Sequence, residues 1–447
     1  MKKALCEMVA VVLVIACHCV SAQPGRHSMT MDEVKRLLEQ SKIVYQRLET
    51  KADGRFDVEV IAPKCEGHLL RSHFSVLRSV PWRRLKMLTA NEHMVHDLAF
   101  MSGVSVEEFV VKGIAVTNLS ALRKSGLVSL KMTHAPIADL SELRGLPLKS
   151  LDIAGTKVTS LSALSGMPLT NLVAGGLDMR DLKPLKGMPL RRLNMRTATM
   201  PDWDLSVLAG LPLEELELGG TSVKSIAPLR RLKRLKRIGL SSTNVSDISP
   251  LADLPLKYVG IGMTKVSDLS ALRSMSLDTL VLNACSELDS LESLRGAQIT
   301  NLHVTHTKVV DLSPLKGMPL KTLDITATAV SDLSPLRGMP LEVLTLGKTP
   351  VADISPLRGL PLKGIALLGN TNITDISPLR GTSLHWIHFD PRVVRKGVDV
   401  LRDMKDMRDI LTSYDSVGPS WKPDDFWKSY DSRRSASSGT QAEAGGR

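Results

Sequence analysis

The stretch LKTLDITATAVSDLSPLRGMP, Leu320 to Pro340, decides the fold, because the chain repeats it. LKSLDIAGTKVTSLSALSGMP, Leu148 to Pro168, is another copy with the same spacing of apolar residues. The consensus LxxLxIxxTxVxDLSPLxGMP recurs in steps of mostly 21 residues, in about 14 repeats. A period of this length is typical of a solenoid, in which each repeat packs on its neighbours.

Each part of the repeat has a physical role. LxxLxI places apolar residues at alternate positions of a short strand, and strands of successive repeats pair in parallel. In DLSPL, Ser can cap a short helix and Pro suits its first position. A 21-residue repeat leaves room only for 3₁₀ turns on the opposite, convex side. The glycine and proline of GMP return the chain to the next strand.

Three positions of the repeat are occupied by the same kind of polar residue in many repeats, and we call each such set of residues a column. We expect the threonine hydroxyls to bond backbone groups and form an internal ladder, since buried polar groups need partners. The aspartates should cap the turns, and the basic residues should either solvate this edge or bind a polyanion. The threonines are Thr156, Thr221, Thr243, Thr264, Thr307, Thr328 and Thr349. The aspartates are Asp139, Asp181, Asp247, Asp268, Asp311, Asp332, Asp353 and Asp375. The basic residues are Arg123, Arg144, Lys186, Arg230, Arg273, Arg295, Lys316, Arg337, Arg358 and Arg380.

The sequence predicts five segments, namely the repeat array and the segments that flank it. Residues 1–22 form a signal peptide, 23–84 an N-terminal cap and 85–389 the repeat array. Residues 390–431 form a C-terminal cap, and the small polar residues of 432–447 predict a disordered tail. Met29 to Leu48 has helical spacing with Thr30 as N-cap, and short strands should follow around Phe56 to Leu77. Val393 to Leu411 is a helix candidate, with Phe426 and Trp427 closing the last repeat.

The first residues predict export. Lys2 and Lys3 precede the apolar run Met8 to Ala16, and Val20-Ser21-Ala22 is a small-residue cleavage site. Val14 to Cys17 also resembles a bacterial lipobox, so lipidation at Cys17 is an alternative to cleavage after Ala22. We expect a secreted, periplasmic or cell-envelope protein, and no later apolar run is long enough for a membrane helix. No disulfide framework is expected.

Composition restricts the partners. Aromatic residues make up 3% of the 447 residues, which favours a thin aliphatic core over that of a globular enzyme. The net charge is +12, and the densest basic cluster is RRLKRLKR, Arg230 to Arg237. Because no aromatic residues are interleaved with it, nucleic-acid binding is not expected. The cluster is either a solvated face or an attraction for anionic lipid or polysaccharide.

The motifs resemble a known family. TNVSDISPL, Thr243 to Leu251, resembles the turn of internalin-type leucine-rich repeats of bacterial surface proteins. The GMPLKxLDI linkage resembles a large bacterial family of short leucine-rich repeats, some with a kinase domain that this chain lacks. Val400 to Ile410 and Asp425 to Tyr430 resemble that family's closing segment. The resemblance covers roughly Leu85 to Phe389 and implies a right-handed parallel solenoid with an interaction role and no catalytic residues.

The outward residues of the strands indicate a binding surface rather than an active site. The HxxH of His303 and His306 lacks a third ligand, so neither a metal nor another cofactor is predicted. The leading hypothesis is a non-catalytic protein-binding module that uses the outward residues of a concave sheet. The alternatives are an anionic polysaccharide or lipid surface on the basic edge, and a hydrolytic enzyme. The candidate binding residues are Lys131, Asp152, Arg192, Asn194, Glu215, Glu217, Arg237, Tyr258, His303 and Asp324. Tyr258 and Arg237 have the side chains best suited to anchor an interface.

Overall fold

The computed structural model describes residues 29–41, 43–62, 74–89, 98–112, 115–123, 125–412 and 421–444. The signal peptide, with the alternatives at Ala22 and Cys17, lies outside these residues. The chain divides into an N-terminal unit, Met1–Leu211, and a C-terminal unit, Pro212–Arg447. Each unit is a leucine-rich-repeat coil with parallel strands and 3₁₀ turns, which confirms the predicted fold class.

The N-terminal unit starts with helix α1, Met31–Gln40, and eight strands follow in its described residues. β1 and β2 pair antiparallel, and β2 to β8 pair in parallel, each with the next. The strands are β1 Val44–Thr50, β2 Phe56–Ala62, β3 Trp82–Thr89, β4 Val106–Lys112, β5 Ser129–Lys131, β6 Ser150–Asp152, β7 Asn171–Val173 and β8 Arg192–Asn194. The 3₁₀ turns are Phe74–Ser79, Ala99–Met101, Ser120–Leu122, Ser141–Leu143, Ser162–Leu164, Lys183–Leu185 and Leu205–Leu208.

The C-terminal unit has ten parallel strands and helix α2, Pro423–Ala444, among its described residues. The strands are β9 Glu215–Glu217, β10 Arg237–Gly239, β11 Tyr258–Gly260, β12 Ser276–Val281, β13 Gln298–His303, β14 Thr322–Asp324, β15 Val343–Thr345, β16 Gly364–Ala366, β17 Trp386–Phe389 and β18 Asp409–Thr412. The 3₁₀ turns are Ala227–Arg231, Ser249–Leu251, Ser270–Leu272, Glu292–Leu294, Ser313–Leu315, Ser334–Leu336, Ser355–Leu357, Ser377–Leu379 and Val398–Leu401.

The core of each coil is a stack of aliphatic side chains in register. Leu323 of β14 pairs with Leu302 on one side and Leu344 on the other, and all three are fully buried. The turn of the same coil adds Leu333 and Leu336, which are at most 1% exposed. Alternation within the strand sends the intervening residues to the outer face, as the sequence pattern predicts.

The buried threonines bond within their own coil. Thr328 donates from its hydroxyl to the carbonyl of Ile325 at 2.7 Å, and the other six threonines of the column do the same three residues back. The predicted backbone bonds are therefore confirmed. The predicted ladder is wrong for this column, because each hydroxyl donates within its own coil. Two hydroxyls also contact the next coil: that of Thr264 lies 3.7 Å from the Cys285 sulfur, and that of Thr349 accepts from the Asn370 side-chain amide at 3.3 Å.

The aspartates cap the turns, as predicted. Asp332 accepts from the Ser334 backbone N–H at 2.7 Å and from the Ser334 hydroxyl at 2.6 Å. Asp311 holds Ser313 in the same way. Serine was expected to be the cap, but it is the first residue of the 3₁₀ turn and donates its hydroxyl to the aspartate. Two bonds to one carboxylate fix the turn.

The aspartate caps predict a loss of stability in acid. The Ser334 hydroxyl and backbone N–H lower the pKa of Asp332, and those of Ser313 lower the pKa of Asp311. A lowered pKa contributes stability that is complete above the unfolded value, about 3.9, and is lost as pH falls through the folded value. We expect the unfolding midpoint followed by circular dichroism to fall steeply below about pH 4. Asp311→Asn with Asp332→Asn should reduce that fall, and an unchanged fall would contradict the assignment.

A left-handed residue follows the strands, and the sequence pattern did not reveal it. Six successive coils of the C-terminal unit place a non-glycine residue there, with φ between 55° and 60°. Each costs about 1–2 kcal/mol relative to a right-handed conformation. The N–H of His306 donates to the Thr326 carbonyl of the next coil at 2.9 Å, and such bonds hold the conformation in place. The six are Ser242, Met263, Ala284, His306, Ala327 and Lys348.

The N-terminal flank differs from its predicted helix. Helix α1 ends at Gln40, whereas the pattern extended to Leu48, because the chain turns at Ser41 and β1 pairs with β2. The predicted cap at Thr30 is confirmed, since its hydroxyl accepts from the Glu33 backbone N–H and the Glu33 carboxylate accepts from Thr30. Residues 74–79 form a 3₁₀ turn rather than a strand. The parallel strands also begin before Leu85, the predicted start of the array, because β2 already pairs in parallel with β3.

The C-terminal flank contains a further coil where a helix was predicted. Residues 398–401 form a 3₁₀ turn, and β18 pairs in parallel with β17. Gly397, with φ of 84°, starts this turn in a conformation that a helix does not allow. Helix α2 continues to Ala444, so residues 432–444 also differ from the predicted disorder. Extending an existing helix costs much less than nucleating one, and this favours its continuation.

Candidate functional site

The outward residues of the strands form the candidate site, which we call the strand face. All ten predicted residues lie on strands at outward positions, and each is next to a buried leucine, isoleucine or valine. Lys131, Asp152, Arg192 and Asn194 belong to the N-terminal unit. Glu215, Glu217, Arg237, Tyr258, His303 and Asp324 belong to the C-terminal unit. Whether they bind a partner remains a prediction.

The residues of the N-terminal unit mostly serve the fold. The Lys131 Nζ lies 2.5 Å from an Asp152 carboxylate oxygen, and Asp152 is only 9% exposed. Asp152 also accepts from the Ala154 backbone N–H, and Asn194 accepts from that of Arg196 at 3.0 Å. These side chains therefore cap the end of their strands. Arg192 is the exposed member of this group.

The C-terminal unit brings three predicted residues together. The Arg237 Nε donates to Glu217 Oε1 at 3.1 Å, and the Arg237 Cζ lies 3.5 Å from the centroid of the Tyr258 ring. The guanidinium is therefore held by a carboxylate at one edge and by an aromatic face on one side. We call this arrangement the Glu217–Arg237–Tyr258 stack.

Two glycines provide the room for the stack. Gly239 and Gly260 occupy the outward position two residues after Arg237 and Tyr258, and they are register neighbours. A Cβ at residue 239 would collide with the Glu217 carboxylate, and one at residue 260 would lie 3.0 Å from the Tyr258 hydroxyl. Glu217 and Tyr258 thus lie along the backbone instead of standing away from it. RIG and YVG in the sequence are the signal that could have revealed this platform.

The stack leaves part of the guanidinium open to solvent. Arg237 is 43% exposed, whereas Glu217 is 18% exposed. Within the described ranges, Arg237 donates only through Nε, so its two terminal nitrogens can donate to an external acceptor. A guanidinium that is already oriented loses less conformational freedom on binding than a mobile one. The stack can therefore receive a carboxylate in bidentate geometry.

His303 and Asp324 lie further along the same face. They are register partners. Asp324 accepts from the Thr326 backbone N–H at 3.0 Å, so its side chain also caps the end of its strand. His306 is not on the strand but in the left-handed position after it. In the part of the chain that the structure describes, no three His, Cys, Asp or Glu residues are grouped to hold a metal ion.

Trp386 forms a second aromatic feature that the site prediction omitted. Its indole covers Gly364, where a Cβ would collide with the ring. The His388 ring lies 4.7 Å from it, centroid to centroid. Burial lowers the pKa of His388, while the charge of Asp409 acts in the opposite direction. The cluster therefore lies on the strand face of the paired strands β16 and β17.

The basic column of the turns is exposed but lies beside the aspartates. The charge of Arg337 acts on Asp353 of the next coil, and that of Arg295 acts on Asp311. Arg123 pairs with Glu142 at 2.6 Å. A column of cations next to a column of anions attracts a polyanion weakly. The RRLKRLKR cluster is the exception, because cations there outnumber carboxylates.

Comparison with solved structures finds leucine-rich-repeat proteins. An internalin, InlF, from Listeria monocytogenes has 19% identity, and the match covers 76% of this chain and 89% of that chain, with a TM-score of 0.48. The functional domain of InlJ from the same organism has 15% identity over 69% and 73%, with a TM-score of 0.46. The plant peptide hormone receptor RGFR1 in complex with RGF2 has 12% identity over 80% and 81%, with a TM-score of 0.39.

Comparisons of sequence give no family. No protein-family profile matches the chain, and no curated protein matches it. The assignment to leucine-rich repeats therefore rests on the repeat itself, with its paired strands, 3₁₀ turns and aliphatic core. No helix within the described ranges is long and apolar enough to cross a membrane.

Proposed function

We propose that this chain is an exported, non-catalytic module that binds a protein through the strand face of its C-terminal unit. The observation that carries the proposal is the Glu217–Arg237–Tyr258 stack, with its guanidinium 3.5 Å above a tyrosine ring. Arginine and tyrosine are among the residues most enriched at the positions that contribute most of the binding energy of an interface. Export rests on the predicted signal sequence, and the alternatives of cleavage after Ala22 and lipidation at Cys17 stay open.

The surroundings of the stack favour a broad contact. Thr279 is the register neighbour of Tyr258, and Asn301 is that of Thr279. These side chains are short and half-buried, so the face is shallow beside the stack. A flat surface with one anchored arginine suits a protein that presents a carboxylate at the centre of its contact.

Site-specific photo-crosslinking tests the proposal. A photo-reactive phenylalanine analogue replaces Thr279, beside the stack, and in a control protein it replaces Lys316, on a turn. We expect one crosslinked protein species from position 279 that excess wild-type chain competes away, and none from position 316. Equal products from both positions, or products that wild-type chain does not compete away, would reject the strand face as the binding surface.

A further inference from the structure

One turn of the C-terminal unit has a longer 3₁₀ helix than the other turns of that unit. After Leu315, Leu336 and Leu357 the turn continues with a basic residue and then GMP or GLP, and Gly317, Gly338 and Gly359 have φ between 72° and 76°. The turn after Leu229 reads RRLKRL and contains neither glycine nor proline. Its 3₁₀ helix, Ala227–Arg231, has five residues, where most others have three. Arg231 therefore occupies the position that Gly317, Gly338 and Gly359 have in their own coils.

The cations of this turn have a fixed backbone beneath them. We call Arg230, Arg231, Lys233 and Arg234 the basic turn; all four are exposed. Leu229, Leu232 and Leu235 alternate with them and are at most 1% exposed. Backbone bonds hold the segment, including Leu232 N–H to the Leu229 carbonyl and Leu235 N–H to the Leu232 carbonyl, both 2.9 Å. The turn therefore presents its charges from a rigid support.

Most of this charge is not compensated. Arg230 donates to the Ala227 carbonyl at 3.0 Å, and its charge acts on Asp247 of the next coil. Lys236, just beyond the turn, lies 3.3 Å from Glu214. Arg231, Lys233 and Arg234 have no carboxylate within 4.0 Å among the residues that the structure describes. Three uncompensated cations on one turn form a local anion-binding surface.

We propose that the basic turn binds a linear anionic polysaccharide. The turn exposes no apolar or aromatic side chain, whereas the core of a protein interface is rich in them. It also has no aromatic ring on which a nucleic-acid base could stack. An exposed apolar residue that could enter a lipid layer is absent from the turn as described. An anionic polysaccharide with a carboxylate or sulfate on each sugar needs only these exposed cations, since guanidinium pairs with such groups in bidentate geometry.

Binding of defined polysaccharides by the full chain tests the proposal. Alginate serves as the carboxylated probe, dextran sulfate as the sulfated probe and neutral dextran as the control. We expect binding of at least one charged probe and none of neutral dextran, with affinity falling at least tenfold from about 50 to 300 mM salt, because screening weakens exposed charges. Binding of neither charged probe overturns the proposal. Stronger binding to phosphatidylglycerol vesicles than to either charged probe also overturns it and favours a membrane surface.

A matched pair of variants separates the turn from the overall charge of +12. Arg231→Gln, Lys233→Gln and Arg234→Gln together should weaken probe binding at least tenfold. Lys316→Gln, Arg337→Gln and Arg358→Gln together remove the same charge from the basic column and should weaken it less than twofold. Equal losses from the two triple variants would show that only net charge matters. If the first triple variant does not fold, Arg234→Gln alone should weaken binding about threefold, and no loss in this variant contradicts the proposal.

Discussion

Arg237→Glu should weaken binding of the protein partner by about 100-fold or more, equivalent to roughly 3 kcal/mol. The change removes the guanidinium that lies 3.5 Å from the Tyr258 ring and 3.1 Å from Glu217. It also places a carboxylate beside Glu217 and opposite Glu215, its register partner. A carboxylate on the partner would then meet three acidic side chains, and repulsion of like charges adds to the lost bonds.

The measurement is a dissociation constant for the crosslinked partner, by surface plasmon resonance or calorimetry. Arg231→Glu is the matched control, because it makes the same change of charge on the turn that precedes the same strand. That variant should bind the protein partner within about twofold of wild type. Circular dichroism checks that both variants fold. Binding of Arg237→Glu within twofold of wild type would exclude the stack as the centre of the interface.

Phe426→Ala should destabilise the C-terminal coils by about 3–5 kcal/mol. Phe426 is 3% exposed, and its ring lies 6.0 Å from that of Phe389 on β17 and 5.5 Å from that of Tyr430. A smaller side chain leaves a cavity between helix α2 and the last coils. Because a coil is stabilised by its neighbours, loss of the cap should reduce the stability of adjacent coils.

Hydrogen exchange resolved by residue measures this effect. The amides of β17 and β18 should lose about 100-fold or more of their protection, whereas those of β13 and β14 should change little. Lys428→Ala on the same helix is the control, since Lys428 is exposed. Unchanged exchange of the Ile410 amide, which donates to the Trp421 carbonyl at 3.0 Å, would show that Phe426 does not stabilise this end.

The repeat allowed the fold to be predicted because each column of the consensus has one structural role. Leu323 and Ile325 are buried and Asp324 faces outward, as alternation requires. The flanks were harder to predict because their patterns suit two structures. Val398, Leu401, Met404, Met407 and Ile410 are spaced by three residues, which fits a helix but also a turn followed by a strand. The segment forms a further coil because β18 pairs with β17, and the local sequence does not show this pairing.

The candidate site was predicted residue by residue but not as an arrangement. Alternation identifies Glu217, Arg237 and Tyr258 as outward, and side-chain type selects Arg237 and Tyr258 as anchors. The stack itself depends on a diagonal contact between neighbouring coils and on the glycines that leave room for it. Asp152, Asn194 and Asp324 look identical in sequence to binding residues, yet they end their strands through backbone bonds.

The adjacent columns of aspartate and basic residues have a consequence for how such a gene can change in length. Leu320 to Pro340 carries two basic and two acidic residues, and Leu341 to Pro361 does as well. Duplication or deletion of a segment encoding one of these coils leaves the charge of the product unaltered and joins strands that share a register. Recombination between near-identical repeats can therefore lengthen or shorten the array while preserving solubility. Selection can then act on the distance between the binding face and the ends of the chain.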